Sequence, residues 1–307
     1  MTKGYTIIEK ILLNHSNQND IKPGDIVDIT IDARVARDFG GANVVNNLEK
    51  YNLKIDDFAK TYFTFDCNPG GSDQKYAANQ QRCRKFARAN KIHIYDISRG
   101  IGTHLAIDEK LILPGGTFVS TDSHANIIGA IGAFGQGMGD QDIAATWSKG
   151  RVWFKTPESV KIVMKGIPPN NVYAKDIVLA MLNKFGSSQL LGKAVEIYGD
   201  YIETLSLSDR ITISSMGTEM GAIIILFPPN EAVLSYFGNK AKPVYSDKNA
   251  NYAKIIEFDL CNCTSYISKP GNPANAVPVS EVKGTKIDSA FLGSCTNGRY
   301  EDMKVAA

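Results

Sequence analysis

An α/β fold of largely parallel sheets flanked by helices is predicted by three features of this chain. Short β-rich runs alternate with longer helical stretches along the whole length. Those helical stretches carry their own start and stop signals. The polar residues able to do chemistry fall just after the strand-like runs, where open parallel sheets bind ligands.

The first expected element is a helix. Thr6 followed by Glu9 makes a capping box ahead of Ile7, Ile8, Ile11 and Leu12. Strands are expected at 26–32, 61–66, 92–97, 117–121, 159–165, 194–198 and 287–292. Helices are expected at 72–90 and at 174–185, the latter closed by Gly186. A helix ending near Phe154 and a fresh strand after Pro157 suggest a boundary there. The proline-rich stretch 269–278 can continue neither a helix nor a central strand and reads as a linker. A last helix starts at Tyr300 and stops at Ala307 without a cap, which suggests a chain cut in mid-element. The expected division is therefore 1–156, 157–283 and an incomplete third unit, 284–307.

Composition narrows the function classes. With 307 residues and 43% hydrophobic content the chain can bury a sizeable core. Its 34 basic and 32 acidic residues give a net charge of +2 and no like-charged block, which argues against nucleic acid or an anionic membrane as main partner. No run of about 18 apolar residues is present, so no membrane span is expected. The first helix has neither the long apolar core nor the cleavage site of a signal peptide. Five cysteines, an odd number at irregular spacing, suggest a reducing cytoplasm rather than a disulfide framework.

Three strand ends carry the chemistry: Asp66-Cys67-Asn68, Thr121-Asp122-Ser123-His124 and Ser294-Cys295-Thr296-Asn297. Carboxylates, a histidine and a cysteine at three such ends suggest one polar site. The glycines at 129, 132, 135, 137 and 139, before Asp140 and Asp142, fit either a backbone cradle for a substrate carboxylate or close packing. Their spacing matches no dinucleotide or P-loop fingerprint. Of the four histidines, His93 sits in a strand, His15 ends the first helix, and His104 lies in a glycine-rich loop where functional residues collect. Cys295, among hydroxyl, amide and guanidinium groups, is a candidate metal ligand or nucleophile. Cys261 and Cys263, a C-x-C pair, and Cys83, in a basic helix, read as structural.

The segment GSCTNGR (293–299), continuing into Tyr300-Glu301-Asp302, resembles the one that supplies the first cluster cysteine in aconitases and 3-isopropylmalate dehydratases. TDSH (121–124) is similar to the family's Asp-Ser-His motif, and 100–104 to its glycine-rich loop ending in histidine. Phe65-Asp66 resembles its Phe-Asp-His, Val195-Glu196 its Glu-bearing strand, and MGTEMGA (216–222) the stretch after that. The resemblance spans essentially the whole chain in order, and its short lead is similar to the separate large subunits. It implies an aconitase-like multi-domain arrangement and a [4Fe-4S] cluster acting as Lewis acid, held by three cysteines of which Cys295 would be one. It also implies loss and re-addition of water on a hydroxy di- or tricarboxylic acid. The carried-over proton-handling residues are Asp66, His104, Asp122, His124 and Glu196. Ser123, Asn297 and Arg299 are the carried-over substrate contacts. The implied partner is a small subunit with a swivelling domain that brings the general base; the implied setting is cytoplasmic leucine biosynthesis.

Some positions depart from that pattern. The family's later Cys-x-x-Cys has no counterpart here, and Cys67 replaces the histidine expected after Asp66. Residues 125–128 after His124 are less polar than the pattern. One thiolate does not hold a cubane cluster, so this chain alone is expected to be inactive. Two other readings stay open: a non-catalytic binding or scaffold module, and a mononuclear metal site shared by Cys67 and Cys295.

Overall fold

A computed structural model describes residues 3–68 and 73–307. Ser72, the first residue of the expected helix 72–90, lies outside the described residues.

Helix α1 (Ile7–Asn14) opens with the capping box formed by Thr6 and Glu9. Its apolar residues Ile7, Ile8, Ile11 and Leu12 are fully buried, each contributing about 1.5–3 kcal/mol. Strand β1 (Ile26–Thr30) leaves the parallel layer and pairs antiparallel with β7 (Arg151–Lys155). Residues 151–155 therefore do not extend the preceding helix. That helix, α5 (Asp140–Lys149), ends at Gly150, whose φ of +70° suits a residue without Cβ.

The first sheet contains β2 (Ala33–Arg37), β3 (Thr61–Thr64), β4 (His93–Tyr95), β5 (Thr117–Ser120) and β6 (Phe134–Gly137). All pairs are parallel, in the order β4-β3-β2-β5-β6. The chain moves outward in one direction from β2 and in the other from β5. The two strands between which the order reverses are the ones whose carboxyl ends open a ligand crevice. Helices α2 (Gly41–Lys50), α3 (Gln74–Asn90) and α4 (Gly102–Asp108) complete this half, with Asp73 capping α3.

The second sheet holds β8 (Ser159–Lys165), β9 (Ala194–Tyr198), β10 (Ile224–Leu226) and β11 (Lys254–Asp259), again parallel, in the order β10-β9-β8-β11. Its helices are α6 (Ala174–Phe185), ending at Gly186, the short α7 (Asp200–Glu203), α8 (Leu207–Ser215) and α9 (Glu231–Phe237). The two sheets share apolar core: Ala194, Ile224 and Leu226 pack with α1 and the first half.

Two expectations at the C-terminal side are corrected. The stretch 269–278 is not a linker. Strand β12 (Tyr266–Ser268) turns through it into β13 (Ala276–Pro278), an antiparallel hairpin with Pro278 at its terminal register position, where a missing N–H is tolerated. Residues 287–292 form no strand, because no described strand pairs with them. Their apolar side chains stand in solvent, with Ile287, Phe291 and Leu292 exposed by 75, 90 and 61%. The final helix α10 (Tyr300–Ala306) does begin at Tyr300.

Candidate active site

Arg37 is the last residue of β2, and its backbone N–H bonds Thr121 Oγ1 of the neighbouring strand end at 2.9 Å. Its guanidinium bridges two carboxylates, with Nε 2.7 Å from Asp66 Oδ1 and Nη1 2.9 Å from Asp122 Oδ2. Both acidic side chains are almost fully buried. Asp66 Oδ2 also accepts from the Gly102 N–H at 2.6 Å, at the start of α4. Burial pushes the Asp66 carboxyl up, against the Arg37 charge and the Gly102 bond. Asp38 is fully buried and ties the next turn by accepting from the N–H groups of Asp66, Cys67 and Asn68 and from Gln80.

The two histidines converge on this centre from opposite sides. His104 Nε2 lies 2.6 Å from the Cys295 carbonyl, and Arg299 Nη1 lies 3.2 Å from His104 Nδ1. A carbonyl only accepts and a guanidinium only donates, so this ring is the neutral tautomer with its proton on Nε2. Burial first, then Arg299, hold His104 below the usual histidine range. His124 is the reverse case. Its Nε2 lies 3.2 Å from Glu219 Oε1, its Nδ1 3.2 Å from Ser123 Oγ, and its backbone N–H bonds Asp122 Oδ1 at 3.0 Å. The Glu219 bond raises His124 above the ordinary value, against its partial burial.

The loop 293–299 is wedged between α4 and α8. Thr212 Oγ1 donates to the Thr296 carbonyl, Ser215 meets Thr296, and Ser208 bonds Glu301. Arg299 grips Asp108 of α4 with both terminal nitrogens, at 2.8 and 3.2 Å. Asn297 spends its amide hydrogens on Thr212 and Asp302. Cys295 is half-buried, and burial pushes its thiol up.

The described structure thus brings together Asp66, His104, Asp122, Ser123, His124, Cys295 and Arg299, with Asn297 bracing the same loop. Glu196 does not join them. It is fully buried in β9 and accepts from Ile7 N–H, Tyr198 Oη and Tyr252 Oη, each at 2.6 Å. Among the glycines after His124, Gly129 and Gly137 serve close packing: a Cβ at Gly129 would strike the Ile225 carbonyl, and one at Gly137 the Asp122 carbonyl.

This split between the rings is directly measurable. In a proton NMR titration of the chain, His124 is expected to titrate above about 6.5 and His104 below it, and Glu219→Gln should bring His124 down while leaving His104 in place. A His104 resonance titrating above His124 would refute the assignment.

Residues 9–286 match the Aconitase family (aconitate hydratase). The chain belongs to the aconitase family. Three similar proteins are each called a 3-isopropylmalate dehydratase large subunit. That of Methanopyrus kandleri, large subunit 1, is 37% identical over 310 residues, covering 99% of this chain and 74% of that protein. Those of Halothermothrix orenii and Syntrophus aciditrophicus are 37 and 35% identical, with the same 99 and 74% coverage. Thermococcus kodakaraensis aconitase X (holo-form) superposes with a TM-score of 0.43 at 11% identity, over 76% of this chain and 57% of that one, too loosely to add to the assignment.

Within this aconitase-family chain, Arg37, Asp38, Asp108 and Glu219 are site residues that sequence reading passed over. Glu219 stands in the quoted MGTEMGA stretch, but its partner His124 is 95 positions away. The cluster that the family resemblance implies does not fit the donors present. Among the described residues, one grouping of three candidate ligands occurs, Asp38, Asp66 and Cys67. Its carboxylates are already engaged by N–H donors and Arg37, and Cys295 is not part of it. Neither a cubane nor a metal shared by Cys67 and Cys295 draws support from that arrangement.

Proposed function

We propose that this chain is the large-subunit part of a 3-isopropylmalate dehydratase-type hydro-lyase, removing and re-adding water on a hydroxy di- or tricarboxylic acid. The observation that supports it most is the pair of histidines whose surroundings shift them in opposite directions near Asp122. Dehydration requires a proton for the departing hydroxyl, and hydration requires that proton back. His124, raised by the Glu219 bond, is the better proton donor, and His104, held low by burial, the better acceptor. Two groups whose environments drive their pKa values apart divide acid and base work in this way. Glu219 Oε2 is buried without a hydrogen-bond partner among the described residues, an acceptor left for a substrate hydroxyl or a water. Arg299, held flat by Asp108, offers its guanidinium edge to a substrate carboxylate.

In this reading the partner is a small subunit that contributes the carbon base, and the setting is cytoplasmic leucine biosynthesis. The relatives' name supports the subunit, and the five free cysteines agree with a reducing compartment. A [4Fe-4S] cluster would need ligands beyond the donors of this chain, with Cys295 as the one position proposed here, and no step above passes through it.

Two experiments test the reading. Treated anaerobically with iron and sulfide, the 307-residue chain alone should show neither cluster absorbance nor turnover; a stoichiometric cluster would overturn the ligand count. In the full-length assembled enzyme the rate should follow a bell-shaped pH profile. The limb that falls as pH rises belongs to His124 losing its proton. Glu219→Gln removes the interaction that raises that pKa, so this limb should move toward acid while the other stays. An unmoved limb would end the His124 assignment. The binding-module reading is favoured by the exposed apolar residues at 287–292, and it predicts assembly with the small subunit without turnover.

A further inference from the structure

The strands of the first sheet have a second open end, and a cleft of about 380 Å³ lies there. It is lined by the residues that precede β2, β3 and β5: Asp32, Lys60 and Gly115-Gly116. β2 separates it from Arg37 by five residues, roughly 17 Å of extended chain. Lys110, Lys242 and His15 complete its polar wall.

The charge there is one-sided. His15 Nδ1 lies 2.8 Å from the Ile11 carbonyl and its Nε2 3.0 Å from Asp32 Oδ2. Both ring nitrogens face acceptors, so the ring satisfies both only as the imidazolium. Asp32 Oδ2 also accepts from the Thr117 N–H at 3.0 Å, which fixes the carboxylate behind the histidine. Four cations therefore face one carboxylate. Lys110 is anchored, donating to the Tyr236 carbonyl at 2.8 Å. Among the described residues neither Lys60 nor Lys242 has an ion-pair partner.

The cleft is also built rather than incidental. Gly115 has a φ of +82° and packs against the Lys242 carbonyl, where a Cβ would collide, so the lysine-bearing segment is held against the loop before β5. The volume falls within the range of small-ligand sites.

We propose that this cleft binds a small oxyanion carrying two or more negative charges, a phosphate or a short dicarboxylate, at the end of the sheet opposite the candidate active site. Lys60 and Lys242 supply the free charge, and Lys110 and the imidazolium of His15 supply fixed walls. The proposal does not depend on the hydro-lyase reading, since it uses none of that site's residues.

Calorimetric titration of the chain with inorganic phosphate, pyrophosphate and malonate tests it. One saturable site is expected for at least one of them, and the preferred probe separates a phosphate source from a carboxylate one. The double variant Lys60→Gln/Lys242→Gln should weaken that binding tenfold or more. Lys60→Arg/Lys242→Arg should retain it, which controls for folding, and Arg299→Gln should leave it unchanged. No saturable binding by any probe, equal affinity in the glutamine double variant, or loss on Arg299→Gln alone would overturn the proposal.

Discussion

Replacing Arg37 with methionine should cost this protein about 3–5 kcal/mol of stability, measured as a lowered urea midpoint. The guanidinium is the counter-charge for both Asp66 and Asp122, whose side chains are only 3 and 4% exposed. Methionine fills much of the same volume, so the loss is electrostatic and not a cavity. Asp66 keeps the Gly102 N–H and the weak Cys67 thiol donor, and Asp122 keeps the His124 N–H with the His124 ring 3.9 Å away; none of these replaces a guanidinium held between both. Removing one partner of a buried pair leaves the other desolvated and uncompensated, which is far costlier than never having built the pair. The pH dependence has a definite sign. Burial already raises the Asp66 carboxyl with Arg37 present, and without Arg37 its folded-state pKa rises further. A carboxyl raised in the folded state contributes stability that is present below its unfolded value of about 4 and lost as pH rises through the folded pKa. The deficit of the variant should therefore be largest at neutral pH and shrink on acidification. A deficit below about 1 kcal/mol at neutral pH would mean that water, not Arg37, compensates these carboxylates.

The same cluster shows what the sequence could reveal. Asp66, Asp122 and His124 were legible because strand periodicity placed them at carboxyl ends, and parallel sheets gather such ends. His104 and Cys295 were legible as motif residues, but their contact spans 191 positions and no local pattern encodes it. Glu219 was hidden for the same reason: a glutamate between glycine-rich turns looks solvated until α8 and the 123–131 turn pack together. Strand β7 was misread because Arg151–Lys155 follows helical residues without proline, and only Gly150 marks the stop. The run at 287–292 has strand composition, but a strand is made by a partner and none of the described strands offers one. The linker reading of 269–278 failed because proline excludes only the interior of a sheet, and a short edge hairpin tolerates it.

Glu196 is the sharpest separation between a family role and a position, and Glu196→Ala is expected to unfold the protein more readily by about 1–3 kcal/mol. A strand residue's face cannot be read from a Val-Glu-Ile-Tyr run that is buried on both sides. In the fold the carboxyl points to the start of α1. It receives the Ile7 N–H, which is one of the first-turn donors that no helix satisfies internally. Tyr198 and Tyr252 supply two more donors, and Ser246 backs up Tyr198. Alanine would leave the Ile7 N–H buried without an acceptor and open a void among residues with no exposure. The two tyrosines can fall back on Ser246 and on each other, so the helix start carries most of the loss. Glu196→Gln retains one acceptor and should cost about a third as much, which separates loss of the bond from loss of the charge. Since α1 packs between the two sheets, the same substitutions should shift the global unfolding midpoint and not merely fray one end. The activity test runs the other way. None of the partners of Glu196 belongs to the His104–Asp122–His124 cluster, so turnover per folded molecule of the assembled Glu196→Gln enzyme should match the wild type, with an unchanged pH profile. A displaced limb in that profile, at full folding, would return Glu196 to the proton-handling role that the family resemblance implies.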